Sequence, residues 1–410
     1  MITDSADQQP VRALLLEGVH PDAQSRLEKA GFQVDSLGRA LDTDELVSRV
    51  SDVHLLGIRS KTQVTDQVLA AAPDLLAVGA FCIGTNQIDL AAAARRGVAV
   101  FNAPFSNTRS VVELALSEII ALTRRLTEKN TSLHSGVWDK SATGAHEVRG
   151  RRLGIVGYGN IGTQLSVLAE NLGMSVYFFD TADKLALGNA RRCGSLDELL
   201  AEVDVVTLHV DGRPGNSGMF GADEFARMRA GSLFLNLSRG FVVDHAALRD
   251  SIASGHLAGA AVDVFPAEPK GRGDTFVSEL QGLPNVILTP HIGGSTEEAQ
   301  QDIGQFVAGK FHDFIGAGST SMSVNFPQLD LGSSSGTRRL VHVHRNVPGV
   351  LAKINGLLGE HDVNVESQLL GTRGEVGYVI TDIGRGDTDQ VLAGLAAMPE
   401  TIRLRTLGGG

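Results

Sequence analysis

Leu153-Gly-Ile-Val-Gly-Tyr-Gly-Asn-Ile-Gly162 decides the fold of this chain. The apolar run Leu153–Val156 leads directly into a G-x-G-x-x-G spacing. Leu165, Leu168, Ala169 and Leu172 then recur at helical intervals. A second apolar run, Val176–Phe179, ends in Asp180, 18 residues past Gly162. Strand, glycine turn, helix, strand and acid together make a βαβ nucleotide-binding unit, a far stronger signal than the glycines alone. Gly157 permits the tight turn, Gly159 lets the backbone approach a pyrophosphate, and Gly162 lets the helix pack closely on the strand. The helix N-terminus offers its unsatisfied N–H groups to the phosphates. Asp180 accepts hydrogen bonds from ribose hydroxyls and repels a 2′-phosphate, so the expected cofactor is NAD rather than NADP.

Outward from this unit, the pattern predicts an α/β protein. Val205–His209, Leu233–Leu237, Gly259–Val264 and Val286–Thr289 complete six candidate strands, enough for a whole doubly wound nucleotide domain. Upstream, Val11–Leu16, His54–Ile58, Leu75–Phe81 and Val98–Asn102 read as strands with helical stretches between them, a second parallel sheet. A long helix is expected over Ser110–Lys129, and another over Thr296–Ile315 that returns to the first block. The first domain is therefore expected to be discontinuous, 1–107 with 296–330, with a nucleotide domain over 108–295 inserted into it. A Gly/Ser-rich stretch, 331–338, reads as a flexible linker with Gly332 and Gly336 as hinge candidates. The remainder, 339–410, follows a β-α-β-β-α-β order, a ferredoxin-like unit.

Composition excludes several classes. The chain has 410 residues and a net charge of −11, which argues against a uniformly basic nucleic-acid binder. Aromatic residues are 5%, too few for single-strand stacking platforms. Glycine is abundant, 48 residues, as suits a protein of tight turns and close backbone approaches. The two cysteines, Cys82 and Cys193, form neither a disulfide framework nor a metal spacing, so no metal is expected. No signal-peptide pattern and no apolar stretch of about 18 residues occurs, so a soluble, cytoplasmic protein with no membrane partner is expected.

In open α/β sheets the chemistry lies beyond the carboxyl ends of the strands. Three late strands end there in functional side chains: Arg239 in Ser238-Arg239-Gly240, Glu268 in Phe265-Pro-Ala-Glu268, and His291 in Pro290-His291. Hydride exchange with a 2-keto acid needs a cation to fix the carboxylate and polarise the carbonyl, which Arg239 can supply. It needs an acid/base near neutrality, His291, and a carboxylate, Glu268, to set the imidazole tautomer and stabilise its charged form. In the substrate domain, Arg59 and Ser60 follow a strand, and Asn107 opens the interdomain helix. Cations, hydroxyls and a helix N-terminus suit a phosphate-bearing substrate.

GYGNIG (157–162), SRG (238–240), VDVFPAEP (262–269) and TPHIGGST (289–296), in this order, resemble the D-isomer-specific 2-hydroxyacid dehydrogenases. GAFCIGTNQIDL (79–90) and NAPFSNTRSV (102–111) are similar to the short, three-domain bacterial branch that oxidises D-3-phosphoglycerate at the opening of serine biosynthesis. The resemblance implies cofactor contacts at Asn160, Ile161, Leu237, Ser238, Arg239, Asp263, His291, Ile292, Gly293 and Gly294. It also implies substrate contacts at Arg59, Ser60, Ile83, Gly84, Asn107 and Arg239. Trp138 and Lys140 match a segment that reaches a neighbouring subunit's pocket. Bacterial members carry a lysine near the second strand; here Arg39 stands one position away. Val343-His-Arg-Asn-Val-Pro-Gly-Val-Leu351 resembles the start of an ACT domain, with His344, Asn346 and Asn364 at its serine-binding positions, which implies L-serine as effector and a homo-oligomer, a tetramer. Side activity on 2-oxoglutarate, a glyoxylate or hydroxypyruvate reductase, and an NAD-sensing corepressor-like protein are the alternatives at this level.

Overall fold

A computed structural model describes residues 10–269, 273–332, 338–384 and 388–408. The chain divides into two compact units, Met1–Ser106 with Gln300–Gly410, and Asn107–Ala299.

The first unit carries a parallel sheet of β1 (Arg12–Leu15), β2 (Gln33–Ser36), β3 (Leu55–Ile58), β4 (Ala77–Ala80) and β5 (Ala99–Asn102) in the order β2-β1-β3-β4-β5. Three of these strands, β3 to β5, are buried along their whole length, which is why LLGI, AVGA and AVFN carry almost no polar residue. One face packs Leu14, Leu56, Val78 and Val100. The other packs Leu15, Leu55 and Phe101 against Ile303, Val307, Phe311 and Phe314 of the helix Glu297–Ala317. That helix lies so close that a Cβ on Gly79 would come within 2.7 Å of both Val307 and Phe311. β2 has no counterpart in the sequence reading, because Gln-Val-Asp-Ser is a mostly exposed edge strand with no apolar pattern.

The same unit contains an antiparallel sheet: β13 (Arg338–Arg345), β14 (Val365–Arg373), β15 (Val376–Ile383) and β16 (Thr401–Leu407), in the order β14-β15-β13-β16. Leu340, Val379, Ile383 and Leu404 pack beneath the helices Val350–Glu360 and Thr388–Ala397. The opposite face is also buried along β15 and the middle of β13. Val341, Val343, Val376, Tyr378 and Ile380 join the core containing Phe311, Phe314 and Phe326. Three side chains of this sheet also satisfy carbonyls at and just past the C-terminus of Glu297–Ala317. Arg405 donates to Phe314 O at 2.8 Å, Arg339 to Ala317 O at 2.9 Å, and Tyr378 to Gly318 O at 2.7 Å. Arg339 is itself held by Asp382 in a buried two-bond ion pair at 2.6 and 2.8 Å. Of the stretch read as a linker, 333–337, with the hinge candidate Gly336, lies outside the described residues; Gly332 accepts from Arg339 at 2.7 Å.

The second unit holds a seven-stranded parallel sheet. Its strands are β6 (Arg152–Val156), β7 (Ser175–Phe179), β8 (Arg191–Arg192), β9 (Val205–Leu208), β10 (Ser232–Asn236), β11 (Leu257–Val262) and β12 (Val286–Leu288). The order is β12-β11-β10-β9-β6-β7-β8, so the winding reverses at β6, where a ligand crevice forms in such sheets. The expected single helix over Ser110–Lys129 is instead two, Thr108–Thr123 and Leu126–His134. The break falls at Arg125, which adopts φ 53°. The apolar stripe Val111, Ala115, Ile119 and Leu122 ends with the first helix, and the second buries no side chain.

Candidate active site

The glycine loop has the geometry its spacing implies. Gly157 sits at φ 93°, and a Cβ there would lie 2.6 Å from His209 O. A Cβ on Gly162 would lie 2.3 Å from Gly157 O, so helix Asn160–Asn171 can approach β6 only with glycine there. Gly159 has open space on its Cβ side. Asp180 closes the loop from β7. Its Oδ2 accepts from Tyr158 N and its Oδ1 from Ala182 N, both at 2.8 Å. Each oxygen keeps further acceptor capacity for ribose hydroxyls. An open glycine, a helix N-terminus and an acid at the loop rim therefore fit NAD.

The catalytic candidates converge on the same strand edge. Arg239 follows β10, where Asn236 Oδ1 accepts from Ser238 N at 3.0 Å and from Ser238 Oγ at 2.8 Å. Asn236 Nδ2 donates to Arg239 O at 3.0 Å. Leu237 and Ser238 are buried, and Gly240 faces Phe265 so closely that a Cβ would overlap its carbonyl carbon. The loops after β10 and β11 are thus locked together. His291 follows β12 at φ 56°, a left-handed conformation uncommon for residues other than glycine. Its Nδ1 lies 2.9 and 3.1 Å from the two Glu268 oxygens. That hydrogen bond raises the His291 pKa above 6.5; burial opposes it, and the charges of Glu268 and Asp263 reinforce it. Burial pushes the Glu268 carboxyl up, but the bond to His291 and the neighbouring positive charge leave it below its ordinary value.

Asp263 performs a task that its place in the sequence did not disclose. It is almost wholly buried. Its Oδ1 accepts from Thr289 Oγ1 at 2.6 Å and Ile292 N at 2.8 Å, and its Oδ2 accepts from Gly293 N at 2.8 Å. The carboxylate thereby fixes the His291–Gly294 turn from inside. Asn107 packs on the same turn, close enough that a Cβ on Gly294 would meet its Nδ2 at 2.1 Å, while its buried Oδ1 has no partner among the described residues. Trp138 is 75% exposed and Lys140 is exposed.

In the first unit, Arg59 and Ser60 leave β3, and Ile83 and Gly84 follow β4. Gln87 was not foreseen. Its Nε2 donates to Arg59 O at 2.6 Å and Gly84 O at 3.2 Å, tying the two loops together. Asn102 donates to Ile83 O at 2.6 Å. Arg39 is engaged with Glu45, two bonds at 2.7 Å.

In the C-terminal sheet, His344 pairs with Gly377, and a Cβ there would enter the imidazole. Asn346 lies just beyond, its Nδ2 donating to Gly374 O at 3.0 Å. Asn364 lies at the other end of the sheet, its carbonyl accepting from Gly384 N at 2.9 Å. At about 3.3 Å per residue the length of β15 separates them by roughly 23 Å. One copy of the chain cannot bring these three to one ligand. His342, two residues before His344 on β13, is buried beside it with ring centroids 5.6 Å apart.

Residues 116–293 match the D-isomer specific 2-hydroxyacid dehydrogenase, NAD binding domain, and residues 340–403 match the AHAS small subunit-like ACT domain. The D-3-phosphoglycerate dehydrogenase of Haemophilus influenzae is 50% identical over 98% of this chain and 98% of its own. That of Dictyostelium discoideum is 47% identical over 99% of both. An NAD-dependent formate dehydrogenase from Staphylococcus aureus, solved in complex with NAD, is 26% identical. It superposes with a TM-score of 0.64 over 75% of this chain and 95% of its own.

Proposed function

The chain belongs to the D-isomer-specific 2-hydroxyacid dehydrogenases, and on that footing we propose that it oxidises D-3-phosphoglycerate with NAD to 3-phosphooxypyruvate, NADH and a proton. The carrying observation is the His291–Glu268 pair at the strand edge that also bears Arg239 and the glycine loop. With Nδ1 held by Glu268, Nε2 is the nitrogen that takes the substrate hydroxyl proton. Arg239 donates one N–H to Ser238 O at 2.7 Å and keeps others for the carboxylate and the reacting oxygen. Bound NAD supplies the hydride acceptor. His291 must begin neutral for oxidation and protonated for the reverse reaction. Oxidation therefore rises with pH, with its midpoint above the ordinary imidazole value.

Within this reading, 1–107 with 296–330 binds substrate, 108–295 binds NAD, 331–338 links, and 339–410 is regulatory. Arg59, Ser60, Ile83, Gly84 and Asn107 hold the phosphorylated acid, with Lys140 reaching a neighbouring subunit's pocket. Exposed Val137 and Trp138 support that interface. L-serine is the effector. The edge strand β14 leaves Val365 and Leu370 exposed. Antiparallel pairing of two copies there brings Asn364 of one copy to the Arg373–Gly374 end of the other, where His344 and Asn346 lie. Two interfaces of this kind make a tetramer. Among the described residues no helix is long and apolar enough to cross a membrane, and the cytoplasm is the proposed location.

The test is NADH oxidation with 3-phosphooxypyruvate, without and with L-serine. Turnover suppressed by serine, and relieved of that suppression in Asn346→Ala, is expected. Turnover indifferent to serine would remove the effector assignment. Activity confined to unphosphorylated 2-oxo acids would remove the substrate assignment. His291→Ala is expected to abolish turnover while NADH still binds, which excludes a pure NAD sensor.

A further inference from the structure

Glu17, directly after β1, sits at φ 65° and is followed by Gly18 at φ 63°. Two successive left-handed residues turn the chain sharply. Glycine would suit the first as well as the second. What glutamate adds is its carboxylate, and three backbone amides of the Arg59–Thr62 loop converge on it. Oε1 accepts from Arg59 N at 3.2 Å and from Thr62 N at 2.8 Å, while Oε2 accepts from Lys61 N at 3.0 Å. Neighbouring N–H groups that point inward in this way form a concavity for an anion. Here an internal anion already occupies it. The turn is pinned in its own right, Glu17 N donating to Arg39 O at 3.1 Å and Gly18 N to Leu37 O at 3.2 Å. From the other side, Gln87 holds Arg59 O.

We propose that Glu17 is a positioning residue for the substrate: its carboxylate fills the backbone nest of residues 59–62, so that the loop presents the Arg59 and Ser60 side chains, and not its amides, to the anionic substrate. This rests on the reading that the loop binds the phosphorylated acid. The arrangement explains a carboxylate behind a loop built for an anion. The carboxylate is stabilised by three donors and denies the nest to competing small anions.

The lock is tested with Glu17→Gly, which removes the carboxylate where φ favours glycine, and with Glu17→Gln, which keeps the shape without the charge. For both variants, KM for the phosphorylated keto acid is expected to rise about tenfold, the worth of one charge-assisted hydrogen bond. kcat and NADH affinity stay near those of the wild type. Formate should restore the low KM in Glu17→Gly by entering the emptied nest, whereas chloride at equal ionic strength should not, and Glu17→Gln should not respond. Amide hydrogen exchange at Arg59, Lys61 and Thr62 should quicken in Glu17→Gly without any substrate present. An unchanged KM in Glu17→Gly would overturn the proposal. So would a raised KM that formate leaves alone while NADH affinity falls equally, the signature of general loosening. If the wild type fails to turn over 3-phosphooxypyruvate, the substrate reading falls, and the exchange measurement decides on Glu17 by itself: unchanged exchange overturns the lock.

Discussion

Glu268→Gln separates the charge of the His291 partner from its shape. The glutamine carbonyl still accepts from Nδ1, so the tautomer and ring orientation survive. What disappears is a full negative charge 2.9 Å from the imidazole. Two unit charges about 4 Å apart attract by about 1 kcal/mol in water and about 4 kcal/mol at an effective dielectric of 20. Solvent reaches 49% of the His291 side chain and 38% of that of Glu268, which places the pair toward the aqueous limit. About 1–2 kcal/mol of imidazolium stabilisation is therefore lost, and kcat for oxidation should fall roughly five- to thirtyfold. The sign of the pH effect follows from the same bond. Glu268 raises the His291 pKa, so its removal lets burial and the Arg239 charge lower it. The acid limb of the oxidation profile should move to lower pH, while the reductive direction loses activity earlier as pH rises. Steady-state kcat measured from about pH 5 to about pH 10 in both directions reads this out. A plateau kcat within twofold of wild type with both limbs in place would refute the role given to Glu268.

Three further outcomes are expected. Gly162→Ala places a methyl group against Gly157 O and should destabilise the nucleotide domain by about 1–3 kcal/mol, seen as a lower Tm and weaker NADH fluorescence titration. Glu118, buried on Thr108–Thr123 with neither oxygen partnered among the described residues, has its carboxyl pushed up from 4.5 to about 8 by burial and by the Asp263 charge. The unfolded chain ionises at lower pH than the folded one, so Glu118 loses stability for the fold as pH climbs from about 4.5 to about 8. Glu118→Gln should match wild type in urea unfolding at about pH 5 and exceed it by several kcal/mol at about pH 8, and equal curves at both pH values would refute this. Asp382→Asn strands the buried Arg339 charge and should cost about 3 kcal/mol, read as a fall in urea midpoint.

The nucleotide domain was legible because its signals are local. The glycine spacing, the Leu165–Leu172 stripe and Asp180 lie within 28 residues, and each position carries one physical demand. Arg239, Glu268 and His291 were legible because a parallel sheet sends every strand end to one edge. The sequence did not disclose partners that meet across long separations. Asp263 fixes the turn 29 and 30 residues ahead through amides, which have no side-chain signature. Glu17 meets amides 42 to 45 residues away for the same reason. β2 escaped because an exposed edge strand needs no apolar face, and the helix break at Arg125 escaped because no glycine or proline announces it. Leu340-Val-His-Val-His344 alternates as a strand with one buried face would, whereas both faces of β13 are covered, and burial by packing from elsewhere in the chain leaves no trace in a strand's own period.

The sheet face bearing Val341, Val343 and Tyr378 bears on how this chain can be shortened. Ending the chain at residue 332 would strip the cover from Phe314 and Phe326, take from the carbonyls of Ala317 and Gly318 their donors Arg339 and Tyr378, and leave Phe314 O with the Gly318 N–H alone. The truncated protein would be sticky and frayed at the helix that packs on the first parallel sheet, so lost activity would report damage to the fold. The proposed serine site is therefore better probed by point changes at the sheet ends, where Asn346 and Asn364 lie away from that core. Gene fusions and natural rearrangements that transplant residues 10–332 should carry 338–408 along for the sake of the fold alone.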